Sequence, residues 1–254
     1  MTSTATVIDS PWIRRFHPAP DRPVRMVCLP HAGGSASYYF PLSQALSAHA
    51  DVLTVQYPGR QDRRTEPFID SIPETADRIF EVLRPLTDRP LVLFGHSMGA
   101  SVGFEVALRL EADTEAVDPA MLFASGRRAP GRDRQETVHL RDDAGIIEEL
   151  RSLSGTEQSL LDDEETLRLI LPALRNDYRA AETYRPVPGR RLRCPVTALV
   201  GDNDPKATVD EAAAWAEHTA GAFRLRVFPG DHFYLGDRMA EVARETASHL
   251  THLS

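Results

Sequence analysis

Gly95-His96-Ser97-Met98-Gly99 sets a serine between two glycines at the spacing G-x-S-x-G. The preceding residues, "LVLF", read as a strand, and the following "ASVGFEVALRL" reads as a helix. That context is the one in which a nucleophile sits on a sharp, strained turn, with small flanking residues letting the chain fold back on itself. A serine hydroxyl needs a base, and the chain offers nine histidines. His96 is adjacent to Ser97, and neighbouring side chains on a sharp turn diverge. His17, His49, His139, His218, His249 and His252 fall in tails, loops or helix faces. His232, in "RLRVFPGDHFYLGD", follows the last predicted strand in a glycine-containing loop and is the expected base. The acid is expected between them, where loops leave the carboxyl ends of the strands. "VTALVGDNDPKATVDE" offers Asp204 and Asp202; Asp204 lies further into the loop, and Asp202 is better placed to brace it. Asp231, next to His232, is badly placed to orient the ring. The expected chemistry is acyl transfer, with Ser97 as nucleophile, His232 as base and Asp204 holding the imidazole tautomer.

A tetrahedral oxyanion also needs donors. One is the backbone N–H of Met98, after the nucleophile, and the other comes from the loop after the first core strand. That loop is "PHAGGSA", where Gly33 and Gly34 permit a turn presenting the Ala32 N–H. His31 is then expected to shape the loop rather than to act as base or metal ligand, since no second ligand stands at metal-binding spacing. Tyr38 and Tyr39 are expected to start the next helix, with a wall of an acyl channel as a weaker alternative.

The elements that must position these residues alternate along the chain. Strands are predicted over 24–29, 51–56, 91–95, 120–126, 196–201 and 223–228, as continuous apolar runs suited to a sheet covered on both faces. Amphipathic helical patterns separate them; in "ETADRIFEVL", Ala76, Ile79, Phe80 and Leu83 share one face. The expected fold is α/β, a mostly parallel doubly wound sheet of the α/β-hydrolase type. Residues 129–193 lack a convincing strand, so 1–254 is read as one domain carrying a helical lid insertion at 129–193.

Composition bounds the rest. With 254 residues, 42% hydrophobic and 26% charged, the chain is an ordinary globular one. A net charge of −8 argues against nucleic acid, and no apolar run is long enough for a membrane span. Positive charge is almost all arginine, Lys206 being the only lysine. The N-terminal stretch lacks the apolar core of a signal peptide, and Cys28 and Cys194 read as buried free thiols, so a cytoplasmic monomer is expected.

Beyond these motifs, the chain resembles the type II thioesterases that accompany polyketide synthases and nonribosomal peptide synthetases. The resemblance spans nearly its whole length and rests on Trp12, "PVRMVCLPHAGGSASYYFPLSQAL", "VQYPGRQDRRTEPF", "LVLFGHSMGASVGFEVALRL", "LFASGRRAP", "LRNDYRAAETY", "CPVTALVGDNDP" and "FPGDHFYL". It implies hydrolysis of acyl thioesters from the phosphopantetheine arm of acyl or peptidyl carrier proteins, clearing stalled or wrongly primed groups. It also implies the same Ser97, Asp204 and His232, a mobile lid after "SGRRAP", and no cofactor beyond the arm carried by the partner. Carrier proteins of such systems are usually acidic, which makes Arg60, Arg63, Arg64, Arg127, Arg128, Arg132 and Arg134 candidate docking residues. The rival readings are a dedicated chain-releasing thioesterase, a carboxylesterase for small esters, and a carrier-binding chaperone without chemistry. The short, unfused length leans toward the clearing role.

Overall fold

A computed structural model of the protein describes residues 10–132, 134–153 and 163–253. Seven strands form one sheet: β1 (Ile13–Arg14), β2 (Arg25–Leu29), β3 (Asp51–Val55), β4 (Leu91–His96), β5 (Met121–Ser125), β6 (Val196–Gly201) and β7 (Phe223–Phe228). Their order is β1-β3-β2-β4-β5-β6-β7, with β1 antiparallel to β3 and every other pairing parallel. Six of the seven match the predicted strands. The seventh, β1, spans two residues and carries no pattern that sequence periodicity can detect.

Alternation within the strands divides the core into two layers. On one face, Leu91 and Leu93 of β4 join Val27, Leu29, Leu122 and Val200 against α2 (Ile72–Leu83) and α3 (Met98–Ala112). On the other, Val92 and Phe94 join Met26, Cys28, Phe123 and Leu199 against α1 (Phe40–Leu46) and a C-terminal helix, Met239–Leu250. Each strand residue sends its side chain to the face opposite its neighbour's, so an unbroken apolar run fills both layers. In α2, Ile72, Ala76, Ile79 and Leu83 are buried while Phe80 is only partly covered, close to the predicted face. Ser71 caps that helix by accepting from the Glu74 N–H.

The chain order creates the place for a site. From β2 the chain moves outward to β3, whereas from β4 it moves the other way to β5. The carboxyl ends of β2 and β4, paired at Leu29 and Gly95, therefore flank a topological switch point, where loops diverge and leave a crevice.

Between β5 and β6 the described residues hold α4 (Asp143–Ser152) and α5 (Glu164–Thr183), with a 3-10 turn at Val138–Leu140. They have a small core of their own: Val138, Ile146, Leu150, Leu171, Leu174 and Tyr178. Part of the insertion expected at 129–193, residues 154–162, lies outside the described residues. Among the described residues, three α-helices follow β6: α6 (Val209–Ala213), α7 (Tyr234–Asp237) and α8, the Met239–Leu250 helix already met.

One backbone crossing fixes α3 on the sheet. A Cβ on Gly99 would stand 2.0 Å from the Leu29 carbonyl oxygen, and one on Gly95 would stand 2.2 Å from the Gly99 oxygen. Both obstacles are backbone, so neither can swing away. Gly99→Ala is therefore expected to lower stability by about 3 kcal/mol or more, the upper end of overpacking costs. Gly236→Ala, with nothing within 4 Å of the added methyl, should stay within about 0.5 kcal/mol of the parent. Urea unfolding of the two variants checks the contrast; equal midpoints would remove the crossing from the account.

Candidate active site

Ser97 stands between β4 and α3 with φ 54° and ψ −119°, in the left-handed half of conformational space that side chains avoid. Such a residue costs about 1–3 kcal/mol and persists only where its surroundings over-determine it. They do so here: the Ser97 N–H donates to the Ser125 carbonyl at 2.8 Å, and the Ser97 carbonyl accepts from the Ala100 N–H at 3.0 Å. The turn lifts the hydroxyl off the end of the sheet.

His232 lies in the loop after β7, and its Nε2 is 3.0 Å from Ser97 Oγ. Its Nδ1 is 3.0 Å from each Asp204 oxygen. Asp204 is buried in the loop after β6, where its Oδ1 also accepts from the Lys206 N–H at 2.8 Å and the Ala207 N–H at 3.2 Å. These donors fix the orientation of the carboxylate. The structure thus brings together the three side chains picked out by spacing, in the order hydroxyl, imidazole, carboxylate.

The rejected neighbours have other work. Asp202 Oδ1 accepts from the Gly230 N–H at 2.9 Å and so ties the β6 loop to the loop that carries His232. Asp231 accepts from the Phe233 N–H at 2.9 Å. His96 is fully buried, with Nδ1 2.9 Å from Ser125 Oγ, which in turn meets the Tyr234 hydroxyl at 2.7 Å. Burial above all, then the neighbouring His232 and His31, keeps its pKa well below the ordinary range, so the ring is neutral.

His31 shapes its loop from within. Its ring lies edge-on to Tyr38 and Phe233, 4.5 and 4.9 Å between centroids, and a Cβ on Gly34 would stand 2.8 Å from His31 Cε1. Among the described residues its Nδ1 has no hydrogen-bond partner. Burial, with His232 and Arg60 nearby, pushes its pKa down to about 3. Gly33 takes φ 73°, and the Gly34 N–H closes the turn on the His31 carbonyl at 3.0 Å. Tyr38 and Tyr39 belong to a 3-10 turn leading into α1, as expected. Tyr39 is not a channel wall: it is buried in the core and donates to the Leu29 carbonyl at 2.9 Å.

Ala32, Met98, Ser97 and His232 share a cleft that is also lined by Leu150 and Leu153 at the end of α4 and by Tyr178 on α5. Its wall is also charged. Lys206 Nζ is 2.9 Å from Glu136 and pairs with Glu149 of α4, while Arg128 pairs with Glu136. Burial opposes the Glu136 charge, but hydrogen bonds from Arg128 and Lys206 overcome it and hold the carboxyl down to about 2. Among the described residues, no group of three or more His, Cys, Asp or Glu is gathered as for a metal ion, and no helix is long and apolar enough to cross a membrane. Cys28 and Cys194 are buried free thiols.

The proposed docking arginines need correction. Arg60, Arg63 and Arg128 are buried, and each is bound to a carboxylate: Asp177, Glu66 and Glu136 respectively. Arg127 is half-buried, with Nε 3.0 Å from Ser101 Oγ. Arg64, Arg132 and Arg134 remain exposed, the last two paired with Glu217 and Glu211. Exposure of a long side chain depends on what folds over it, which residue type does not encode. Sequence reasoning also passed over Asp177; its one signal was an acid among Leu174, Tyr178 and Ala181 on an otherwise apolar face of α5.

Comparison with known proteins bears on this geometry. The family model described as Thioesterase domain matches residues 24–250. A probable cadicidin biosynthesis thioesterase of Streptomyces griseus is 52% identical over 98% of this chain and 68% of its own length. Thioesterase PikA5 of Streptomyces venezuelae is 51% identical, over 98% of this chain and 89% of that protein. Among solved structures, the type II thioesterase BorB from the borrelidin biosynthetic cluster superposes with TM-score 0.88 and 50% identity, covering 94% of this chain and 97% of BorB. The doubly wound sheet is therefore an α/β-hydrolase fold, and the chain belongs to the thioesterase family, where it resembles the type II members.

Proposed function

We propose that the protein is a serine thioesterase that clears aberrant or stalled acyl groups from the phosphopantetheine arm of acyl or peptidyl carrier proteins. The observation that carries the reading is the continuous chain Ser97 Oγ, His232, Asp204, set at the switch point of a thioesterase-family fold. Similarity to YbtT, a type II thioesterase of the yersiniabactin NRPS/PKS pathway, and to ClbQ of the colibactin NRPS/PKS pathway supports the substrate class.

The chemistry follows from the hydrogen bonds. His232 Nε2 takes the hydroxyl proton as Ser97 Oγ attacks the thioester carbonyl, and Asp204 stabilises the imidazolium that forms. The tetrahedral oxyanion is held by the N–H groups of Ala32 and Met98. Collapse breaks the C–S bond, and the imidazolium returns its proton to the pantetheine sulfur. Water then loses a proton to His232, attacks the acyl-serine carbonyl and releases the free acid, restoring Ser97. A thiolate leaves readily, so the protein chiefly has to hold the carbonyl and exclude stray water. Lys206 and Glu136 line the cleft that holds Ser97, and Lys206 also pairs with Glu149 of α4. A charged wall there favours a small acyl group over an extended apolar chain, consistent with clearing misprimed carriers.

Ser97→Ala should lower kcat/KM for propionyl-pantetheine by about 10⁴-fold or more, read as thiol release. Activity kept near the parent level would overturn the nucleophile. Asp204→Asn should cost about 10³- to 10⁴-fold in kcat, because the wrong imidazole tautomer then faces Ser97; Asp202→Asn, which loosens only the loop brace, should cost roughly tenfold or less. The reverse order would exchange the two acids. Intact-mass analysis of carrier proteins bearing acetyl, branched and full-length groups checks the biological role. Faster clearing of the short groups is expected, and selectivity for one long chain would indicate dedicated release instead.

A further inference from the structure

α5 presents one face to the site. Leu174, Asp177, Tyr178 and Ala181 recur at spacings of three and four, so they lie on one side of the helix. Tyr178 and Ala181 line the cleft that contains Ser97. Leu174 and Asp177 instead reach the loop expected to supply the oxyanion donor. A Cβ on Gly33 would stand 2.4 Å from Leu174 Cδ2, and the Gly33 N–H donates to Asp177 Oδ2 at 2.8 Å.

Asp177 does not act alone. Arg60 grips both its oxygens, 2.6 Å from Nη1 to Oδ2 and 3.0 Å from Nη2 to Oδ1, and Arg60 Nη1 also donates to the Gly34 carbonyl at 3.1 Å. Asn176 Nδ2 adds a contact to Asp177 Oδ1 at 3.2 Å. The rest of the "QYPGR" segment holds the same loop. Tyr57 donates to the Pro30 carbonyl at 3.2 Å, and Gln56 Oε1 accepts from the Ala36 N–H at 2.8 Å. Four of these hydrogen bonds land on the loop backbone, at the Pro30 and Gly34 carbonyls and at the Gly33 and Ala36 N–H groups. Ala32 is left between two anchored points, Pro30 on one side and Gly33 on the other.

A buried arginine–carboxylate pair is a poor device for stability, because an apolar pair of like volume generally does as well or better. Arg60 and Asp177 are 8% and 3% exposed. What an apolar pair could not supply is a fixed acceptor for the Gly33 N–H and a fixed donor for the Gly34 carbonyl. On that ground, and resting on the thioesterase reading above, we propose that Asp177 is a positioning residue for the oxyanion loop. Through Arg60 and Gly33 it holds the Ala32 N–H in the direction the developing oxyanion requires. α5 is then part of the catalytic scaffold, seated on the loop, rather than a cover that swings free of it.

The test uses the full chain with propionyl-pantetheine. Asp177→Asn leaves Arg60 buried without its charge partner and is open to misfolding, so the deciding variant is Arg60→Met with Asp177→Leu, which removes both charges and keeps the volume. In that double variant kcat should fall about ten- to a hundredfold with KM within about twofold, the signature of a misaimed transition-state donor. Thermal unfolding should stay cooperative with its midpoint lowered only modestly, because the Gly33 N–H and Gly34 carbonyl lose their partners while two buried charges are removed. Hydrogen exchange at residues 30–36 should accelerate, a readout independent of turnover. A kcat within about twofold of the parent, or a loss confined to KM, would overturn the proposal and leave the pair a structural tie. Ser97→Ala in the same assay separates the two levels. If it is inactive while the double variant is normal, only the positioning role fails; if Ser97→Ala is active, the serine mechanism fails first.

Discussion

Two backbones touch where α3 crosses the end of β2, and the site depends on that contact. Gly99 lies against the Leu29 and Pro30 carbonyls, and Gly95 lies against Gly99 and Ala100. No side chain fits between these strands and the helix, so the turn joining β4 to α3 has to be as tight as the polypeptide allows. Ser97 absorbs the strain as a positive φ. The same crossing sets the nucleophile's helix directly beside the loop leaving β2, the segment from Pro30 to Ala36. Nucleophile and loop are neighbours because β2 and β4 pair and their connections leave in opposite directions.

Polar groups carried into this crevice by the fold must find partners, and their partners define the architecture around it. A buried donor or acceptor left unmade costs about 1–3 kcal/mol. Gln56, Tyr57 and Arg60 answer that demand for the loop after β2, and Asp177 answers it from the insertion. Asp202, Asp204 and Ser125 do likewise for the loops and ring that surround His232. Two short motifs distant in sequence, "PHAGGSA" and "QYPGR", are thus two halves of one hydrogen-bonded structure.

The insertion is held in two different ways. α5 rests on the sheet side through Leu174 and the enclosed Arg60–Asp177 pair. α4 is joined to the acid loop by the Lys206–Glu149 pair, which is partly open to water. Breaking an enclosed pair by removing one partner typically costs about 3–5 kcal/mol.

The sequence by itself determined the parts set by local rules. Continuous apolar runs located six strands, and the 3.6-residue period located the helices between them, because burial on one or both faces dictates residue type at each step. The G-x-S-x-G turn and the histidine and acid after the last two long strands were legible because backbone geometry restricts which residues such turns accept. A two-residue edge strand left no pattern to read. Tertiary structure alone decided which charges face water. Arg60 read as a surface docking residue, yet it meets Asp177 across 117 positions of chain and is enclosed there. A lone lysine in a loop became a bridge to two carboxylates at the cleft wall. The physical reason is the same for both: a charged residue's role depends on the partner and the dielectric around it, and both are set by segments far away in sequence that only folding brings together.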